Sequence, residues 1–166
     1  MQLRDFFDYK NQLIEDLLTD EETVKLIDEN AEVSNATSLV YKNVFPCEYI
    51  PETVQEGQTF ICIDVDVQSA INKTYLLPTI FVWVFTHRSN LRLPNNKGVR
   101  TDALCSRICE LINGSKKYGL GELELHSVKR FAPMTDYQGK VMAFYTKEIG
   151  ALHDPKKYVP ANRKKN

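Results

Sequence analysis

Two strand-length segments lie almost back to back in the middle of this chain. Residues 59–68 alternate cleanly, with Ile61, Ile63, Val65 and Val67 on one face and Phe60, Cys62, Asp64 and Asp66 on the other. Residues 75–86 are apolar on both faces, the pattern of a central strand covered on both sides. Asn72-Lys73 between them reads as a turn, and Pro78 predicts an edge position or a bulge near the start of the second strand. The longest apolar run, from Ile80 to Phe85, is far too short to span a membrane as a helix.

The flanking sequence supplies the cover. Leu3, Phe6, Phe7, Leu13, Ile14, Leu17 and Leu18 recur at helical spacing and make one stripe, which either packs on the core or is shared with a partner subunit. Thr19 followed by Glu22 forms a capping-box pattern that starts a second short helix carrying Val24 and Ile27. Residues 29–38 are polar and read as a loop. Residues 39–45 read as a strand ended by Pro46, with a further turn marked by Pro51 and Gly57.

Residues 87–100 form a long basic loop. Thr101 is expected to cap a helix running through Asn113, with Leu104, Cys105, Ile108, Leu111 and Ile112 buried and Gly114 as its stop. Residues 123–128 and 140–146 are two more strands, joined by a link so short that antiparallel pairing is expected. The expected fold is α+β: one domain over residues 1–152, a mostly antiparallel sheet of four or five strands, and helices packed on one face. Residues 153–166, with Lys156, Lys157, Arg163, Lys164 and Lys165, read as a basic, mobile tail.

Catalytic patterns are sparse. Asp64 and Asp66 place two carboxylates about 7 Å apart on one strand face, a spacing that suits Mg²⁺ only if other acids, such as Glu110 or Glu124, join them. Cys47, Cys62, Cys105 and Cys109 include no CxxC pair, and His87, His126 and His153 are scattered. The thiols therefore read as reduced, mostly buried apolar groups in a cytosolic compartment. There is no Gly-x-Ser-x-Gly. Gly119-Leu120-Gly121 lacks the third glycine of a dinucleotide loop and precedes a strand. The expectation is no enzyme activity, no metal and no cofactor.

A net charge of −1 supplies no global attraction to nucleic acid or membrane, so any contact must come from a local patch. The best patch is the basic loop, with His87, Arg88, Arg92, Lys97 and Arg100. It is either an ordinary solvated loop or a contact loop facing an acidic neighbour or DNA. No aromatic residue interleaves these charges, which argues against a single-strand stacking platform. The N-terminus, Met1-Gln2-Leu3-Arg4-Asp5, lacks a signal-peptide layout, so a soluble chain made in a cytoplasm is expected.

The order of elements carries a resemblance. The basic loop leads into the helix opened by Val99-Arg100-Thr101-Asp102; then come Gly119-Leu120-Gly121-Glu122-Leu123-Glu124-Leu125-His126-Ser127-Val128 and Tyr137-Gln138-Gly139-Lys140. Over roughly residues 59–148 this resembles the tail-completion or tail-terminator (head–tail joining) proteins of tailed phages. The resemblance implies a structural virion protein, assembled in the host cytoplasm. It would form a ring, typically hexameric, that stops the tail tube and meets the neck or head. Its partners would be its own copies, the tail tube protein and neck or connector proteins, with passing contact to DNA in the channel and none to membrane.

A head-to-tail ring uses two different surfaces of each subunit. The acidic strand face (Asp64, Asp66) and the basic loop (Arg88, Arg92, Lys97, Arg100) are the candidates for those surfaces, with Arg92 opposite Asp66 as a trial pair. The length of the loop and the basic tail depart from the family pattern. The alternatives are a cytoplasmic adaptor or nucleic-acid-associated binding module, and a metal-dependent nuclease using Asp64 and Asp66.

Overall fold

In chain order the elements are α1 (Leu3–Thr19), α2 (Glu21–Ile27), a 3-10 helix (Val33–Leu39), β1 (Val44–Phe45), β2 (Thr59–Ile71), β3 (Tyr75–His87), a short 3-10 turn (Arg88–Asn90), α3 (Arg100–Ile112), β4 (Leu123–Phe131), β5 (Tyr137–Thr146) and β6 (Gly150–Ala151). The computed structural model describes residues 3–71, 75–94, 97–118, 121–146 and 150–151. The expected turn at Asn72-Lys73, the loop residues Asn95 and Asn96, Gly119-Leu120 and the tail 153–166 lie outside the described residues.

The two central runs pair as an antiparallel ladder from Thr59↔Thr86 to Ile71↔Tyr75, with an irregularity after Gln68. β5 lies on the other side of β3, and β4 lies outside β5, giving the order β1-β2-β3-β5-β4. Every pairing is antiparallel except the two-residue β1, which runs parallel to β2. The α+β, mostly antiparallel, single-domain expectation therefore holds, with five strands in the path and the two-residue β6 set beside β3. Pro78 falls between the part of β3 paired to β5 (from Thr79) and the part paired to β6 (Tyr75 and Leu76). A residue without an N–H is tolerated at such a break.

Alternation decides the layers. Ile61 and Ile63 of β2, Ile80, Val82 and Val84 of β3, and Met142 and Phe144 of β5 point to one face. There they meet Leu13 and Leu17 of α1, Val24 and Ile27 of α2, and Leu104, Ile108 and Ile112 of α3. This is the larger core, and each such side chain contributes about 1.5–3 kcal/mol on burial. The opposite face carries a smaller aromatic cluster of Phe45, Phe60, Phe85 and Tyr137, with Cys62 among them. Loop residues Tyr49 and Met134, not a helix, pack over it. The Tyr137 hydroxyl fastens that cover, accepting from Gln55 N at 2.8 Å and donating to Gln55 O at 3.2 Å.

Several local expectations are corrected. The cap of α2 is Asp20, whose carboxylate accepts from Thr23 N; the Thr19 hydroxyl instead donates back to the Asp16 carbonyl within α1. The polar stretch expected as a loop contains the 3-10 helix, whose buried Ala36 and Leu39 stand three apart, the repeat of that helix. The strand expected over 39–45 shrinks to Val44–Phe45, because Tyr41 adopts φ 60 and breaks the extended chain. α3 begins one residue before the expected cap: Val99 is the N-cap and Thr101 lies buried in the first turn. Gly114 stops that helix with φ +77, and its N–H donates to Leu123 O at 2.7 Å.

Candidate assembly surfaces

The basic loop is a tight, doubly anchored turn. Leu93 N donates to Gly98 O at 3.0 Å and Arg100 N to Leu91 O at 2.8 Å, while Arg92 and Val99 form an antiparallel bridge. Asn90 ties its root to Gly57 O at 2.8 Å. Arg88 is exposed and forms an ion pair with Asp136. Arg92 and Lys97 are exposed.

Arg100 is different, and here the expectation of a surface cation is corrected. Its residue is 1% exposed. Its guanidinium donates to Asn90 O at 2.9 Å, Leu26 O at 2.9 Å and Glu29 Oε1 at 2.6 Å. The fork thus joins the basic loop, the end of α2 and the start of α3, and it is a bolt rather than a contact residue.

Reasoning from sequence missed a second node. Arg107 on α3 holds Asp20 at 2.6 Å through one nitrogen and 3.0 Å through another, with Glu22 at 3.5 Å and Glu110 at 3.0 Å. The Arg107 hydrogen bond holds the Asp20 carboxyl well below the usual carboxylate range, with Thr23 adding to it against the opposing effect of burial. Lys140 on β5 reaches Asp102 of α3 at 2.7 Å, and that bond raises its affinity for its proton. The readable signal was the Asp20-x-x-Thr23 cap and the i,i+3 spacing of Arg107 and Glu110.

The acidic pair sits elsewhere. Asp64 opposes Phe81 and Asp66 opposes Thr79, whereas the basic loop leaves the far end of β3 after His87. Along the strand, Phe81 and Arg88 are about 23 Å apart. Asp64 is half-exposed; its carboxylate accepts from the Lys10 ammonium at 3.0 Å and from Val65 N at 2.9 Å. Asp66 is exposed. Glu110 is committed to Arg107, and among the described residues no group of three His, Cys, Asp or Glu side chains converges as a metal site would require. His126 is exposed, stacked on Tyr145 at 4.3 Å, and sits at the irregularity of β4 between Leu125 and Ser127.

Cys62 and Cys105 are buried, and burial pushes both thiols up to about 12. They are poor nucleophiles. Cys105 and Cys109 line an open groove of about 760 Å³ between α3 and the β4–β5 ladder, with Leu125, Val128, Lys140 and Met142. No helix among the described residues is long and apolar enough to cross a membrane.

Two unlike sheet edges frame the molecule. At one edge β1 covers β2 only at Ile61 and Cys62, so the acidic stretch beyond it has no neighbouring strand among the described residues. At the other edge, among the described residues, β4 pairs only with β5, and its exposed outer stretch carries Val128, Lys129 and Arg130. One family model, YomW, a phage-associated family, matches residues 10–146. That span runs from the middle of α1 to the end of β5 and includes both edges. No curated protein and no solved structure matched the chain.

Proposed function

The chain belongs to the YomW family, and from that premise we propose that it is a structural virion protein of a tailed phage, forming a ring that ends the tail tube and joins it to the neck. The observation that carries this reading is the pair of dissimilar edges, one acidic and one basic, on opposite sides of a single sheet. A closed ring of identical subunits needs two different, complementary surfaces on each copy. A monomeric binding protein has no such need.

The phage association of the family supports the same reading, as does the order of elements through the basic loop, α3 and the β4–β5 pair. In such a ring the sheet and α3 form the body. The loop carrying Arg92 and Lys97 projects toward the tube, the neck or the DNA path. Arg88 and Arg100 are already engaged within the subunit.

The test is native mass across a concentration series, with negative-stain images of the same samples. A ring with a central hole is the expected result. A strict monomer at every concentration that also fails to bind tube ends would overturn the ring and favour a cytoplasmic adaptor that uses the basic loop.

A further inference from the structure

We infer that the subunits of this ring join by sheet extension: the basic free edge of β4 pairs antiparallel with the acidic free edge of β2 in the next copy. The inference rests on the ring reading above and adds to it the surface, the register and the charge pair.

Strand direction comes first. From β2 through β3 and β5 to β4 every step is antiparallel, so the two edge strands run in opposite directions. A second copy related by rotation within a ring therefore brings its β2 antiparallel to the β4 of the first, with the same face of the sheet toward the helices. The connection preserves the layer order.

The available lengths also match. On β2, the edge is closed by β1 at Ile61 and Cys62, and regular pairing with β3 ends after Gln68. On β4, the outer backbone groups of Leu123 are taken by Gly114 and Ser115, and Leu125 N donates to Asn113 Oδ1 at 2.7 Å. Beyond the bulge at His126 no strand among the described residues covers the edge, as far as Phe131. This leaves residues 63–68 on one edge and residues 127–131 on the other, six against five, so that residues 64–68 can face residues 127–131.

Backbone direction then fixes the register. Ile61 N donates outward to Asn43 O, so the odd residues of β2, including Val65 and Val67, turn their backbone groups away from β3. After the bulge, Val128 and Arg130 are the β4 residues turned away from β5. Pairing Val128 with Val67 and Arg130 with Val65 satisfies both strands and sets Lys129 directly opposite Asp66, on the face away from the helices. A shift of two residues, with Lys129 opposite Asp64, would drive Phe131 against the position that β1 holds beside Cys62.

In the free copy the Asp64 carboxylate covers the outward Val65 amide, and Lys10 holds that carboxylate. A carboxylate so placed guards an edge against indiscriminate pairing. In the assembled ring the Arg130 carbonyl takes over the amide.

The charges also select against the wrong pairing. Two β4 edges brought together antiparallel would set Lys129 against Lys129, and two β2 edges would set aspartate against aspartate. Only the unlike pairing sets opposite charges across the seam, and unlike pairing is what closes a ring rather than an isolated two-fold dimer.

The experiment is native mass of the full chain over a concentration series, read for wild type, Lys129→Glu, Asp66→Lys, the double variant and Val128→Pro. Each charge reversal is expected to raise the concentration at which the oligomer forms by about tenfold or more, and the double variant to restore it. Val128→Pro removes one outward N–H, which a free edge tolerates, so it should abolish assembly while circular dichroism shows the subunit still folded. Arg92→Glu should leave self-assembly unchanged.

A wild-type chain that is monomeric throughout and also fails to bind tube ends overturns the ring and the seam together. A wild-type oligomer that all these variants leave intact overturns the seam alone. Hydrogen exchange gives the second readout: the amides of Val65, Val67, Val128 and Arg130 should slow on assembly, and unchanged exchange at all four would also overturn the seam.

Discussion

Arg100 shows what one long polar side chain can hold. It donates to two backbone carbonyls and to Glu29, from a site with almost no solvent contact. Arg100→Ala strands the carbonyls of Leu26 and Asn90, while Glu29, itself largely exposed, regains water. The expected loss is about 2–3 kcal/mol, from buried carbonyls left without a donor, measured by urea unfolding. Arg100→Lys should recover only part of it, because a single ammonium cannot replace the fork; full recovery would show that charge alone matters there.

Asp20 offers a pH test at the same scale. Its folded carboxyl titrates below its ordinary value of 3.8, so its contribution is complete above that pH and declines as pH falls toward the folded value. Asp20→Asn keeps a competent helix cap but loses the charged bonds from Arg107. It should cost about 1–2 kcal/mol at neutral pH, and the gap to wild type should narrow below about pH 4. Stability curves that stay parallel down to pH 2 would contradict this assignment. Neither node left a periodic trace in the sequence, because an arginine held by hydrogen bonds obeys no hydrophobic repeat. One signal was available for Arg100: a cation in the first turn of a helix opposes the dipole there, so it needs partners from outside the helix.

Gly139 matters at the scale of elements. It opposes Phe85 across the β3–β5 ladder, and a Cβ there would lie 2.1 Å from Val84 O and 2.5 Å from Phe85 Cβ. Both obstacles belong to the central strand and cannot swing aside. Gly139→Ala should therefore cost about 2–3 kcal/mol, read as a lower urea midpoint, and should loosen the aromatic cluster around Tyr137. A midpoint equal to wild type would mean that the two strands separate more easily than this geometry allows. The requirement shows in the sequence as Tyr137-Gln138-Gly139-Lys140, but its reason does not, since Phe85 lies more than fifty residues earlier.

The same distinction governs the other elements. β2 and β3 were legible because alternation and a doubly apolar run are local patterns. α1 and the body of α3 were legible because their stripes repeat at helical spacing. The 3-10 helix and the true start of α3 were not, because a short element follows tertiary bonds rather than propensity. The basic loop was visible as charge, but only the fold separates outward Arg92 and Lys97 from inward Arg100.

For the whole molecule, the buried clusters define what the domain requires. Among the described residues, every buried core residue lies between Leu13 and Phe144, and β6 adds only the pairing of Gly150 and Ala151 with Leu76 and Tyr75. The family match, ending at residue 146, covers nearly the same span. The sheet edges that the ring reading needs lie inside it, whereas the basic residues from Lys156 onward lie outside it. A chain ended at residue 152 should therefore unfold in one cooperative transition, with a midpoint within about 2 °C of the full chain by differential scanning calorimetry. A larger drop would mean that residues 153–166 contribute to the core. If the shortened chain folds and assembles as the full chain does yet binds tube ends or necks less well, and the difference fades as salt rises, the tail contributes charge to a neighbour in the particle rather than stability to the subunit.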